Sequence, residues 1–93
     1  MTEKAVHVSI KGRVQGVWYR GWTVDTATEL GLSGWVRNRR DGSVEAVFSG
    51  SQSQIDQMIE KCRFGPHSAQ VDQVLVEPAA ADVEPGFRQL PTE

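Results

Sequence analysis

Apolar residues alternate through Val6, Val8 and Ile10, with His7, Ser9 and Lys11 between them. A period of two over residues 5–11 predicts a strand with one buried face. Residues 20–30 hold no proline and no glycine after Gly21, and Trp22, Thr26, Ala27 and Leu30 share one side at helical spacing. This predicts a helix that Gly31 ends in a left-handed conformation. Residues 32–49 read as two strands joined at Asp41-Gly42, a strong signal for a two-residue hairpin turn. Such a turn sets Arg40 opposite Ser43, Trp35 opposite Phe48 and Asn38 opposite Glu45, with Val44, Ala46 and Phe48 on the core face.

Ser51 and Gln54 have the spacing of a capping box. Ile55, Met58, Ile59 and Cys62 follow at i, i+3, i+4 and i+7, the stripe of a second amphipathic helix, which Gly65-Pro66 stops. Ala69 and Val71 then fall on one parity and Val74 and Val76 on the other, so a strand over about 68–77 needs a bulge. A loop over Pro78–Pro85, including Ala79-Ala80-Ala81, leads to a short last strand over Gly86–Leu90 carrying Phe87, with the end of the chain frayed. The order β-α-β-β-α-β plus a short strand predicts an α+β fold: a ferredoxin-like βαββαβ two-layer sandwich, with an antiparallel sheet of four to five strands and both helices on one face.

With 93 residues the chain suffices for one domain, 1–93. Net charge is −2, which disfavours a general nucleic-acid or acidic-membrane binder. The balance is uneven, however: residues 11–20 hold Lys11, Arg13 and Arg20 without an acid, and Arg37, Arg39 and Arg40 cluster later. The single cysteine, Cys62, allows no internal disulfide. Nor does any apolar run reach the length of a signal peptide or membrane span. These features predict a cytoplasmic protein, with a monomer as the default. His7, His67 and Cys62 lack metal-ligand spacing, so no metal is expected.

Between the first strand and the first helix runs Gly12-Arg13-Val14-Gln15-Gly16-Val17-Trp18-Tyr19-Arg20. Glycines let backbone N–H groups turn inward, and a helix N-terminus adds free donors and a positive dipole, so this junction can cradle a phosphate or sulfate anion. A cation at a helix start is disfavoured by about 0.3–1 kcal/mol, and Arg20 there makes sense if an anion lies between. Its planar fork suits two phosphate oxygens, and the backbones of Gln15, Gly16, Val17, Trp18 and Tyr19 are the candidate donors. The simpler alternative for Arg20 is a surface salt bridge to Asp25 or a C-terminal acid. Cys62 reads as a small core residue, Trp22 and Trp35 as core or half-buried, and the arginines at 37, 39 and 40 as a solvated turn face. Trp18, inside the cradle, can flank a substrate group.

Together with Leu30-Gly31-Leu32, Gly34-Trp35-Val36-Arg37-Asn38, Asp41-Gly42-Ser43-Val44-Glu45 and Gly65-Pro66, this loop resembles the acylphosphatases from about residue 5 to Phe87. The resemblance implies a hydrolase that cleaves the carboxyl–phosphate bond of a small-molecule acyl phosphate without metal or cofactor. It assigns phosphate binding to Arg20 and orientation of the attacking water to Asn38. An amide can hold water but is a poor base, and no carboxylate pair or Asp–His pair stands out. Catalysis is therefore expected to be positioning plus charge stabilisation, with a substrate oxygen taking the proton. No chemistry is expected after Pro78. One rival is a single-stranded RNA module of the same architecture, but Ser43–Phe48 lacks interleaved aromatic and basic residues. A second is a carbamoyl-phosphate-handling domain of a larger maturation protein, disfavoured by the absence of a further domain in this sequence.

Overall fold

A computed structural model describes residues 3–80 and 82–93; Met1, Thr2 and Ala81, the last in the loop expected over Pro78–Pro85, lie outside the described residues. Five strands and two helices follow the order β1 (Lys4–Arg13), α1 (Tyr19–Glu29), β2 (Ser33–Asn38), β3 (Val44–Gly50), α2 (Gln52–Cys62), β4 (Gln70–Pro78) and β5 (Phe87–Gln89). The sheet runs β4-β1-β3-β2-β5, a ferredoxin-like two-layer α+β fold. Its first four strands pair antiparallel, while the short β5 joins β2 in parallel.

Alternation along the strands builds the core. Val8, Ile10, Val36, Val44, Ala46 and Phe48 turn inward against Tyr19 and Ala27 of α1 and Ile55, Met58 and Cys62 of α2. The α2 stripe is the one its spacing predicts, with Ile59 half-buried, and Ser51 and Gln54 close a reciprocal capping box. In α1 the fully buried line is Tyr19, Thr23 and Ala27; of the expected Trp22, Thr26, Ala27 and Leu30 stripe only Ala27 is on it, while Trp22 and Leu30 pack half-buried beside it. The Tyr19 hydroxyl reaches across the core to donate to the Cys62 carbonyl at 2.6 Å, which anchors α1 to the end of α2. The parity change in β4 is a bulge: Lys11 pairs with Gln73 but Gly12 with Val71, leaving Asp72 as the extra residue.

Two further expectations fail. The β2–β3 turn holds three residues, Arg40-Asp41-Gly42, rather than two: the Arg39 N–H donates to the Ser43 carbonyl at 2.8 Å and the Gly42 N–H to the Arg39 carbonyl at 3.1 Å. Asp41 stabilises the longer turn by accepting from the Ser43 backbone N–H (2.9 Å) and hydroxyl (2.6 Å). The register therefore slips by one: Trp35 faces Val47, Gly34 faces Phe48, and Asn38 faces Val44. Since a one-residue slip exchanges faces, Trp35 lies on the outer face under the Arg37 guanidinium, 4.7 Å from the ring centroid. Phe48 stacks instead on Phe87, with centroids 5.5 Å apart. The chain end is not frayed either. Leu90 donates to the Val36 carbonyl and Glu93 to the Asn38 carbonyl, while Arg40 donates to the Glu93 carbonyl, extending the β5 edge along β2.

Candidate active site

The N-terminus of α1 is open. Its cap residue, Trp18, has φ 66° and offers no side-chain hydrogen bond, and no acid lies in the first turn. The first intrahelical bond runs from Trp22 N–H to the Trp18 carbonyl. Among the described residues, the N–H groups of residues 15–21 find no acceptor. A left-handed backbone is ordinary for Gly16, at φ 74°, but for a bulky residue such as Trp18 it costs about 1–3 kcal/mol. The indole folds back onto Gly21, where an added Cβ would lie 2.0 Å from its Nε1; only glycine fits beneath it. Strained backbone and unpaired donors thus coincide at the loop that the glycine spacing singled out.

A cavity of about 140 Å³ opens on this loop, lined by Val14, Gly16, Trp18, Tyr19, Arg20, Gly21, Asn38 and Gln89. Arg20 is half-buried and, among the described residues, has neither salt-bridge nor hydrogen-bond partner. Asn38 reaches the cavity because the slipped register turns it toward α1. It is 8% exposed, and its Oδ1 is buried without a hydrogen-bond partner. An orphaned buried acceptor costs about 1–3 kcal/mol, which suits a group reserved for a ligand. Gln15 and Val17 do not line the cavity. Val17 packs half-buried against the core, and the Gln15 side chain turns to the β2–β3 loop, donating from Nε2 to the Arg39 carbonyl (2.6 Å) and the Ser43 carbonyl (2.8 Å).

Three lining residues were not legible beforehand. Val14 forms a buried floor and Gly21 makes room for the indole. Gln89 comes from the segment after Pro78, where no chemistry was expected; pairing of Gln89 with Val36 brings it beside Asn38, and no local pattern foretells a parallel partner.

On the opposite sheet face Glu45 accepts from Arg37 Nε at 2.6 Å and Arg39 Nη1 at 3.3 Å and lies 2.6 Å from His7 Nε2. Burial pushes the Glu45 carboxyl upward, but the hydrogen bonds and charges of His7 and Arg37 outweigh it and hold the group below its ordinary value. The arginines flanking Asn38 are thereby committed to an ion-pair cluster rather than to a solvated turn. Burial pushes the Cys62 thiol up to about 12, which leaves it un-ionised and unreactive at neutral pH. Burial likewise raises the Tyr19 phenol far above its usual range. Among the described residues no group of three or more His, Cys, Asp or Glu side chains gathers as a metal site, and no helix is long and apolar enough to cross a membrane.

Fold and site together define a small α+β protein with an open helix N-terminus at a strand-to-helix junction and a buried amide beside it. The acylphosphatase family model matches residues 6–89. An acylphosphatase of Rhodospirillum rubrum is 57% identical over 89 residues, covering 96% of this chain and 98% of that protein. The solved acylphosphatase of Coxiella burnetii superimposes with a TM-score of 0.91 at 36% identity, over 95% of this chain and 93% of its own. That of Bacillus subtilis gives a TM-score of 0.90 at 27% identity, over 94% and 98%. The chain belongs to the acylphosphatase family, and its activity is the hydrolysis of acyl phosphates.

Proposed function

We propose that the cradle at residues 15–20 and the Arg20 guanidinium hold the phosphoryl group, and that Asn38 Oδ1 accepts a hydrogen bond from the attacking water. The water oxygen bonds to phosphorus as the phosphorus–oxygen bond to the acyl group breaks. The carboxylate leaves, and a phosphate oxygen of the substrate takes the water's proton. No metal and no protein base takes part; the rate comes from positioning and from donors aimed at developing charge. Trp18 forms the wall against which the acyl group lies.

The observation that carries this reading is the unpartnered, buried Asn38 Oδ1 on the same cavity as Arg20 and the unpaired amides of α1. We further propose that residues 1–93 act as one domain and as a cytoplasmic monomer. One sheet around one continuous core supports the single domain, and a buried free thiol suits a reducing compartment.

The test is hydrolysis of benzoyl phosphate in excess EDTA by wild type, Arg20→Ala and Asn38→Ala, each checked for folding by circular dichroism. Metal-free activity that falls in both folded variants supports both roles. Metal-free activity that survives both substitutions refutes the roles, and activity that EDTA abolishes refutes the metal-free mechanism.

A further inference from the structure

Gln15 lies in the cradle loop, yet its side chain serves another loop. Its Nε2 donates both hydrogens across the site, to the Arg39 and Ser43 carbonyls at the base of the β2–β3 turn. Neither carbonyl needs it for turn closure, since Arg39 already accepts from Gly42 N–H and Ser43 from Arg39 N–H. The turn has a further closure of its own in Asp41, which accepts from both the Ser43 backbone N–H and hydroxyl. What the Gln15 bonds add is the relative position of two loops, one presenting backbone donors and Arg20, the other beginning one residue after Asn38.

We propose that the Gln15 side chain has a positioning role in this reaction, as a clamp that sets the distance between the phosphate cradle and Asn38 without itself touching substrate. The proposal rests on the reading of Asn38 as the group that orients water. In-line attack demands that the water held by Asn38 and the phosphorus held by the cradle keep one geometry, and a displacement of about 1 Å can cost 10²-fold in rate. Two hydrogen bonds from a planar amide fix both separation and rotation, whereas the ladders of β2 hold it against β3 and β5 and not against the cradle loop. Glu45 completes the placement from the opposite face by holding Arg37 and Arg39.

The consequence is a separation of binding from turnover. Gln15→Met keeps the length of the side chain and removes both donors. We expect kcat for benzoyl phosphate to fall about 10–100-fold, while the competitive inhibition constant of inorganic phosphate changes less than about threefold, because the amides and Arg20 remain. Adding Gln15→Met to Asn38→Ala should then change kcat no further, since the clamp acts through Asn38.

Wild type is assayed first, so an inactive wild type counts against the catalytic reading rather than the clamp. With active wild type and a folded variant, unchanged kcat in Gln15→Met overturns the proposal. So does a parallel loss of phosphate affinity and kcat, which would place the side chain in the cradle itself. Full additivity in the double variant overturns it too, by showing that Gln15 acts independently of Asn38.

Discussion

The two helices are the same length, eleven residues each, and begin in opposite ways. Helix α2 satisfies its own N-terminus: the Ser51 hydroxyl accepts from Gln54 N–H, and the Gln54 side chain accepts from Ser51 N–H at 2.8 Å. Helix α1 has no side-chain cap and begins at a strained, left-handed Trp18, with a cation in its first turn. One end spends its donors on stability. The other leaves them unpaired, as the proposed phosphate cradle requires, and carries backbone strain at Trp18.

That contrast is open to attack from both ends. The largest effect is expected at α1: Arg20→Ala and Asn38→Ala should each lower kcat for benzoyl phosphate by roughly 10²–10³-fold. Thermal unfolding should move little, because neither side chain makes a hydrogen bond to the protein among the described residues. A large drop in melting temperature in either folded variant would argue that the open end is structural.

A pH titration separates the ends again. The α2 cap is uncharged, whereas Glu45, behind Asn38, is a carboxylate held below its ordinary value of 4.5. A lowered folded-state pKa means that the unfolded chain binds the proton more readily. Glu45 thus adds stability that is fully present above about pH 4.5 and disappears as pH falls through its lowered folded-state value. Glu45→Gln should cost about 1–3 kcal/mol at pH 7. Its deficit against wild type, measured by urea unfolding, should shrink toward acid; a deficit constant down to pH 3 would refute the charge origin.

Ser51→Ala is the mirror experiment. Loss of this cap should cost about 1 kcal/mol, or roughly 4–8 °C in melting temperature for a domain of this size, with kcat within twofold of wild type. The smallest effect concerns Cys62, at the far end of α2. With its thiol pushed up to about 12 and buried, it should resist iodoacetamide at pH 8 in the folded protein and react on unfolding, as mass spectrometry reads directly. Rapid alkylation of the native protein would show that the α1–α2 contact opens.

Legibility followed the range of the interaction. The capping box, the Ile55–Cys62 stripe, the bulge implied by Val71 and Val74, and the glycine loop leading to Arg20 are written within a few residues each, and the structure has them all. Helix α1 was less legible because its buried line runs through Tyr19 and Thr23, a phenol whose hydroxyl is paired 43 residues away and a threonine that bonds its own helix. Tyr19 lies just before the stretch 20–30 that reads as helix, and Thr23 is polar.

The residues near the site divide in the same way. From sequence alone came the element order, the class of fold, the glycine loop as a candidate cradle with Arg20 at a helix start, and Asn38 as a candidate through family resemblance. Only the tertiary structure decided which face Asn38 occupies. A two-residue turn would have set it beside Glu45 on the outer face, and the extra turn residue, stabilised by Asp41 and Ser43, rotates it inward to the cradle. Tertiary structure alone also brought Gln89 to the cavity and turned Gln15 onto the opposite loop. The reason is physical: local patterns set how a segment folds, whereas register and loop-to-loop hydrogen bonds depend on where the rest of the chain holds their partners.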